Sequence, residues 1–488
     1  MYRSYYTVIR AGDAQFRVSL DTASSDLWLI SSNCTSDACS NIPKYPLSYG
    51  SPSFAAVNDN STQFSLRYAD GTVASGIVGR ERVSIAGIDV ASQTIGLAND
   101  TTISFPDDIS GVLGLGFSRL ATAESGSNAT SFFTNLIHSN NLSYPIFGIG
   151  LASAYDASIV SNISEVAWSR VVQFPPFIGE TNVTRSSYLH WAVVLDAISI
   201  GNHRIKPLPT YPFALENRTA ALIDVGFPGM YGPYADVARI FASIPDSRLV
   251  SDDGQWVVPC DTNARLTFIF SSRNFTMLPA DYLIGPASGN PNLCLAWPKA
   301  LPPSTDGIDW QLGGAFMRTV YSIFSLGVNG KEPPFVGFYP LRANLTENPA
   351  EEIDSPLSLL PTVQTTLPNF LLPTPTFTPS SYIFNTSVTA VVGGIVSSHL
   401  ATSTYSPILE AQVTHVSAIP SIFPTPGYVT FVGTAANGLV FTTLSPVPEA
   451  SVTLGVPPGW ESSALYHSPP FVSCIVLLGV TIIRTIIY

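Results

Sequence analysis

Phe16-Arg-Val-Ser-Leu-Asp21-Thr-Ala-Ser-Ser-Asp-Leu-Trp28 is an apolar stretch that ends on an acid and runs into a turn of small residues. Alternation with a period of two marks a half-buried strand, and the small polar residues mark the turn that ends it. Further along, Ala220-Ala-Leu-Ile-Asp224-Val-Gly-Phe-Pro-Gly-Met-Tyr-Gly232 repeats the design. Asp21 is followed by Gly111-Val-Leu-Gly-Leu-Gly116 and Asp224 by Trp310-Gln-Leu-Gly-Gly-Ala-Phe316; with Gly114 and Gly313 taken as equivalent, the separations are 93 and 89 residues. Such a duplication predicts a two-lobed body with one aspartate from each half facing the other.

A carboxylate at the end of an apolar strand is costly unless donors surround it. Two brought together cannot easily both ionise, so they share a proton and titrate as a pair. One can then deprotonate a water while the other protonates or polarises a carbonyl, which is hydrolysis without metal or covalent intermediate. A single such Asp would read as a strand-end cap; the paired setting favours chemistry.

Outward from these two stretches, the chain up to residue 343 consists of short alternating segments separated by Gly, Pro, Asn and Asp. Phe16–Leu20, Gln63–Tyr68, Arg82–Ile85, Trp191–Ile200 and Leu266–Phe270 are expected strands, and Tyr234–Ile244 is the best helix candidate. The fold class is therefore all-β. Of the 488 residues only 11% are charged, against about 25% in soluble domains. The net charge is -12, and no run of Lys or Arg occurs, so nucleic-acid binding is not expected. The 27 Phe, 20 Tyr and 7 Trp exclude disorder from end to end. Six scattered His and the lack of Cys-x-x-Cys give no metal site, and Gly114-Leu-Gly116 is not a nucleotide loop, so no cofactor is expected.

From residue 344 the composition shifts to Pro, Ser and Thr, as in Leu371–Ser380. Residues 344–466 are read as an O-glycosylated, largely disordered stalk, although Val388–Val396 is apolar. Residues 467–488 are read as a hydrophobic anchor or anchor signal, preceded by Ser462, Ser463 and Ala464, which implies membrane or cell-wall association. Arg484 interrupts that tail, and Cys474 lies within it. Cys34 with Cys39 could staple a tight loop, and Cys260 with Cys294 a longer one. Asn-x-Ser/Thr occurs at Asn33, Asn60, Asn99, Asn128, Asn141, Asn162, Asn182, Asn217, Asn274, Asn344 and Asn385, which favours a glycosylated protein of the secretory pathway, at the cell surface or outside it. The first nine residues resemble a strand rather than a signal peptide, so the natural start is expected upstream.

Asp21-Thr-Ala-Ser-Ser-Asp-Leu-Trp28 resembles the active-site sequence of the pepsin-like aspartic proteases, in which Asp-Thr-Gly-Ser-Ser is usual. Arg67-Tyr68-Ala-Asp-Gly71-Thr72 resembles that family's flap hairpin, and Trp310–Phe316 its C-terminal Trp-x-Leu-Gly-x-x-Phe element. The resemblance spans residues 5–343; the stalk and tail are similar to those of surface-anchored fungal members. It implies a bilobal fold with an N-terminal lobe at 1–176, a C-terminal lobe at 177–343, and a cleft between them. It implies disulfides Cys34–Cys39 and Cys260–Cys294, a catalytic pair Asp21 and Asp224, and an acid endopeptidase acting on peptides or proteins as a monomer. Ser24 would donate to the outer oxygen of Asp21, Thr22 would brace the first loop against the second, and Tyr68, Gly71, Thr72, Trp28 and Gly226 would line the substrate site.

The second loop departs from the pattern. Where the family has Asp-Thr/Ser-Gly-Thr/Ser-Ser, this chain has Asp224-Val225-Gly226-Phe227-Pro228. Val225 has no hydroxyl to pair with Thr22, Phe227 cannot donate to Asp224 as Ser24 does to Asp21, and Pro228 lacks an N–H. In the first loop Ala23 stands in place of glycine. These changes support a second expectation, a catalytically impaired surface glycoprotein that binds peptides or proteins in its cleft. A third, a stalked structural protein, explains the tail but not the two aspartates.

Overall fold

The computed structural model describes residues 5–105, 108–121, 130–139, 142, 145–151, 166–180, 185–327, 333–341, 362–392, 428–434, 440–446, 453–458 and 460. Its elements are overwhelmingly strands, as the alternation predicts. In Ala14–Asp21 the residues Ala14, Phe16 and Val18 are buried while Gln15, Arg17 and Ser19 are half-buried, so one face packs on the core. This strand pairs antiparallel with Tyr6–Ala11 and parallel with Ile109–Gly114, which in turn pairs antiparallel with Leu27–Ile30. Each acid thus ends a strand held on both sides.

The second lobe repeats this arrangement. Thr219–Ile223 pairs antiparallel with Ala192–Leu195 and parallel with Ile308–Leu312, which pairs antiparallel with Met230–Pro233. The equivalence extends to register. Val112 lies opposite Ser19 and Trp28, and Gln311 lies opposite Leu222 and Tyr231. These partners sit at the same offsets from Asp21 and Asp224, so the duplication read from two glycines holds residue by residue.

Gly114 and Gly313 mark close crossings. A Cβ on Gly114 would lie 2.6 Å from the Ser25 backbone, and one on Gly313 would lie 2.0 Å from the Phe227 carbonyl oxygen. Only glycine lets each strand pass under the loop that bears the acid.

A four-stranded sheet, Ala167–Arg170, Phe335–Pro340, Val320–Ser325 and Ile146–Gly150, draws on both halves of the chain. Trp191, wholly buried, packs there against Phe117, Phe147 and Phe324, and its indole N–H donates to the Leu115 carbonyl at 2.9 Å. Burying several aromatic side chains at one seam, each contributing on the order of 1.5–3 kcal/mol, fixes how the lobes meet.

Two local expectations are revised. Trp191–Ile200 forms two strands, Ala192–Leu195 and Ala197–Ile200, because the chain passes at Asp196 from pairing with Thr219–Ile223 to pairing with Leu266–Phe270. The helix is Tyr234–Phe241, shorter at its C-terminus than the periodicity suggests.

The larger correction concerns the stalk. Residues 362–392, expected as part of a largely disordered 344–466 segment, lie along the body. Val363 exchanges backbone hydrogen bonds with Pro286 and Ser288, Ile383 with Thr305 and Ile178, and Val391 with Gln173. Phe384 is wholly buried against Phe174 and Phe177, and Tyr382 packs on Tyr211. Arg119 completes the clasp. It donates to the carbonyls of Phe174 and Pro175, and its guanidinium lies over the rings of Phe177 and Phe384. A second piece touches the first lobe, where the Gly455 N–H donates to Gln15 at 2.8 Å and Trp460 meets Tyr49 edge-on. Tyr428–Thr434 and Val440–Pro446 form a hairpin. The anchor at 467–488, with Ser462, Ser463, Ala464 and Cys474, lies outside the described residues.

Candidate active site

Both acid-bearing loops are buried at the seam, with Asp21 7% and Asp224 4% exposed. Each carboxylate is held in the same way. The inner oxygen Oδ1 of Asp21 accepts the Ala23 N–H at 2.8 Å, and that of Asp224 accepts the Gly226 N–H at 2.8 Å. The alanine in the first loop therefore leaves this backbone donor in place. Gly226 lies close to both carboxyl groups. A Cβ there would lie 2.7 Å from Asp21 Oδ1 and 3.1 Å from Asp224 Oδ1, which places the two carboxyl groups on either side of one glycine.

The outer oxygens are also matched, by different means. Ser24 Oγ donates to Asp21 Oδ2 at 2.5 Å, as expected. Asp224 Oδ2, which the sequence leaves without a donor because residue 227 is Phe, accepts from Gln311 Nε2 at 2.6 Å. Phe227 does not donate to Asp224, as the sequence implies, and the outer bond comes from Gln311 instead. Phe227 instead stacks on Tyr231, with centroids 4.2 Å apart, and meets Trp297 edge-on.

The brace between the loops survives in part. Thr22 Oγ1 donates to the Ile223 carbonyl at 2.8 Å and accepts the Val225 N–H at 3.0 Å. Only backbone groups of the second loop are needed for these two bonds. Val225 adds no hydroxyl of its own, so the reciprocal half of the brace is missing.

Electrostatics separate the two acids. Burial raises Asp21 above the ordinary carboxylate range, and the Ser24 hydroxyl and Ala23 N–H oppose that rise. Burial also raises Asp224, and the charge of Asp21 raises it further, with Gln311 and Gly226 opposing. Both acids are raised by burial, so the pair titrates together and holds one shared proton over a wide pH range.

The segment expected to be the flap is a hairpin of Gln63–Arg67 and Val73–Ile85. Tyr68 closes its turn by donating its N–H to Thr72 and accepting the Gly71 N–H, and Gly71 takes a φ of 86° at the tip. The Trp28 indole N–H donates to the Tyr68 hydroxyl at 2.8 Å, joining the flap to the strand that follows the Asp21 loop. Burial and the nearby Asp21 charge push the Tyr68 hydroxyl well above the usual phenol range.

Disulfides join Cys34 to Cys39 and Cys260 to Cys294. Asn33, Asn60, Asn99, Asn217 and Asn274 are exposed, and Asn385 is half-buried beside Pro176. Asn128, Asn141, Asn162, Asn182 and Asn344 lie outside the described residues. The residue that sequence reasoning missed is Gln311. Its one signal is a polar residue inside the otherwise apolar Trp310–Leu312 stretch.

Known proteins match the same region. A model of the eukaryotic aspartyl protease family matches residues 4–331. An aspartic protease of Phaffia rhodozyma is 30% identical over 65% of this chain and 73% of its own length. Mouse cathepsin E is 29% identical over 67% of this chain and 78% of its own, and chicken pepsin A is 28% identical over 70% and 85%.

Proposed function

The chain belongs to the eukaryotic aspartyl protease family, and on that premise we propose that it is an active endopeptidase with Asp21 and Asp224 as its catalytic pair. The observation that carries this reading is the matched support of the two carboxyl groups, each with one backbone and one side-chain donor. With one proton shared, Asp21 as carboxylate takes a proton from a water whose oxygen adds to the scissile carbonyl carbon. Asp224 gives its proton to the carbonyl oxygen. Asp21 then passes its proton to the amide nitrogen as a proton of the gem-diol returns to Asp224. The C–N bond breaks, and the pair is restored.

Tyr68 closes over the bound peptide, with Trp28 fixing its hydroxyl. Gly71, Thr72 and Gly226 offer backbone to an extended substrate. The half-buried rings of Phe227 and Tyr231 support a preference for bulky apolar side chains. Both acids come from one chain, so a monomer suffices. The disulfides and the exposed sequons support passage through the secretory pathway, and the tail from 467 supports attachment to a membrane or cell wall.

The reading is tested by digesting a denatured protein at about pH 4, where a proton-sharing dyad works, and mapping the cuts by mass spectrometry. Cuts beside bulky apolar residues, abolished by a peptide with a hydroxyl in place of the scissile carbonyl, support it; intact substrate refutes it. A second reading rests on Val225, which leaves the brace one hydroxyl short. On it, the protein binds peptides without cutting them, and the same inhibitor peptide would bind while substrate stayed whole.

A further inference from the structure

We propose that Gln311 is a positioning residue for Asp224, replacing from a neighbouring strand the loop hydroxyl that Phe227 has displaced. The proposal rests on the endopeptidase reading and adds to it how this chain keeps its second acid in register.

The exchange can be read from equivalent positions in the two lobes. In the first, the residue three after the acid is Ser24, which donates to Asp21, and the strand position opposite Trp28 is the buried apolar Val112. In the second, the residue three after the acid is the aromatic Phe227, and the position opposite Tyr231 is Gln311, which donates to Asp224. Donor and apolar residue have traded places. A side chain as long as glutamine is required, because the donor now starts from the adjacent strand rather than from the loop itself.

Gln311 is well placed for the task. Its backbone is fixed by two ladders, parallel to Leu222 and antiparallel to Tyr231. Its neighbours Trp310 and Leu312 are wholly buried, which anchors the strand on both sides of it. The amide is uncharged at every relevant pH. It donates through Nε2 to an ionised Oδ2, and its carbonyl oxygen can accept from a protonated one, so it serves the acid in both states of the cycle.

The charged group facing Asp224 across the seam is Asp21. Tyr68 on the flap and Asp26 after the first loop stand on the Asp21 side, and Tyr231 stands beside Gln311 on the adjoining strand. Gln311 is the side chain whose N–H donates to Asp224 Oδ2.

The test compares the wild type, Gln311→Leu and the double variant Gln311→Leu with Phe227→Thr in the full chain. Loss of a charge-assisted bond should lower kcat about 10- to 100-fold with KM changed less than about threefold. Removing the donor favours the protonated form, so the alkaline limb of the pH–rate profile should move to higher pH. Restoring the loop hydroxyl should recover at least about a third of the kcat and return the limb. Unchanged kcat and limb in Gln311→Leu would overturn the proposal.

A second readout does not depend on turnover, so it still decides if no variant cleaves and the endopeptidase reading fails. The fall in melting temperature between pH 4 and pH 9 should be larger in Gln311→Leu than in the wild type, because the acid keeps its proton to higher pH. Equal falls would overturn the proposal by themselves.

Discussion

Thr22 Oγ1 accepts the backbone N–H of Val225 at 3.0 Å, and this bond crosses from one acid-bearing loop to the other. Both residues are buried, and the same hydroxyl donates to the Ile223 carbonyl. The two loops are therefore braced through the Thr22 side chain rather than through a reciprocal pair of hydroxyls. The tie uses backbone groups in the second lobe, which is why a valine is tolerated there.

Thr22→Val should be severe. It removes the hydroxyl but keeps the volume, leaving a buried N–H and a buried carbonyl without partners. The expected cost is about 1–3 kcal/mol of stability, with kcat down about a hundredfold if the loops shift by roughly 1 Å. Thermal unfolding and steady-state kinetics check both.

Val225→Thr runs the other way. A hydroxyl at this position can complete the brace, contributing about 0.5–1.5 kcal/mol. The expected outcome is a raised kcat at unchanged KM, and a fall in activity would show that the present one-sided brace is already the better fit.

Trp28→Phe isolates the flap contact. The smaller phenyl ring cannot donate to the Tyr68 hydroxyl, and it leaves part of the wholly buried indole's space empty. Stability should fall by about 1–3 kcal/mol from the lost bond and the cavity together. The effect should fall on kcat/KM for peptide substrates, because the flap residue is no longer oriented before substrate arrives.

Phe384→Ala tests the packing of residues 362–392, the strap that lies along the body. Phe384 is wholly buried between Phe174 and Phe177 and lies under Arg119. Its loss should cost about 3–5 kcal/mol, measured by chemical denaturation. If the strap were a passive stalk, the variant would unfold like the wild type.

The pH dependence of stability has a fixed sign. Burial and the charge of Asp21 push Asp224 up to about 8 from its ordinary 3.8, so its contribution is fully present below about pH 4 and is lost as pH rises toward 8. His190 works in the opposite direction. Burial lowers it to about 4, so it favours the fold above about 6.5 and loses that contribution as pH falls toward 4. The two trends overlap between about pH 4 and pH 6.5. Asp224→Asn should therefore flatten the loss of stability on the alkaline side and leave the histidine's acid-side loss exposed.

The sequence is informative where the determinants are local. Asp21 through Trp28 carries its strand, turn, acid and donor in one uninterrupted stretch, so its structure could be read directly. The second site is legible only in part, because the donor to Asp224 is 87 positions away in sequence and reaches it through strand pairing. Residues 362–392 depart from the expected stalk for a related reason. Pro- and Thr-rich composition describes how a segment behaves alone, whereas Phe384 and Ala390 are buried by a surface that other parts of the chain supply. Likewise, the break at Asp196 in a run of β-forming residues follows from a change of pairing partner, both partners being distant in sequence.

The most direct test of the central claim is kcat on an internally quenched peptide at about pH 4, measured for the wild type and for Asp21→Asn. The account predicts turnover by the wild type and a loss of at least about a thousandfold in the variant, with its fold retained, because the base that activates water is gone. Equal rates in the two proteins, or no turnover by a folded wild type, would contradict it.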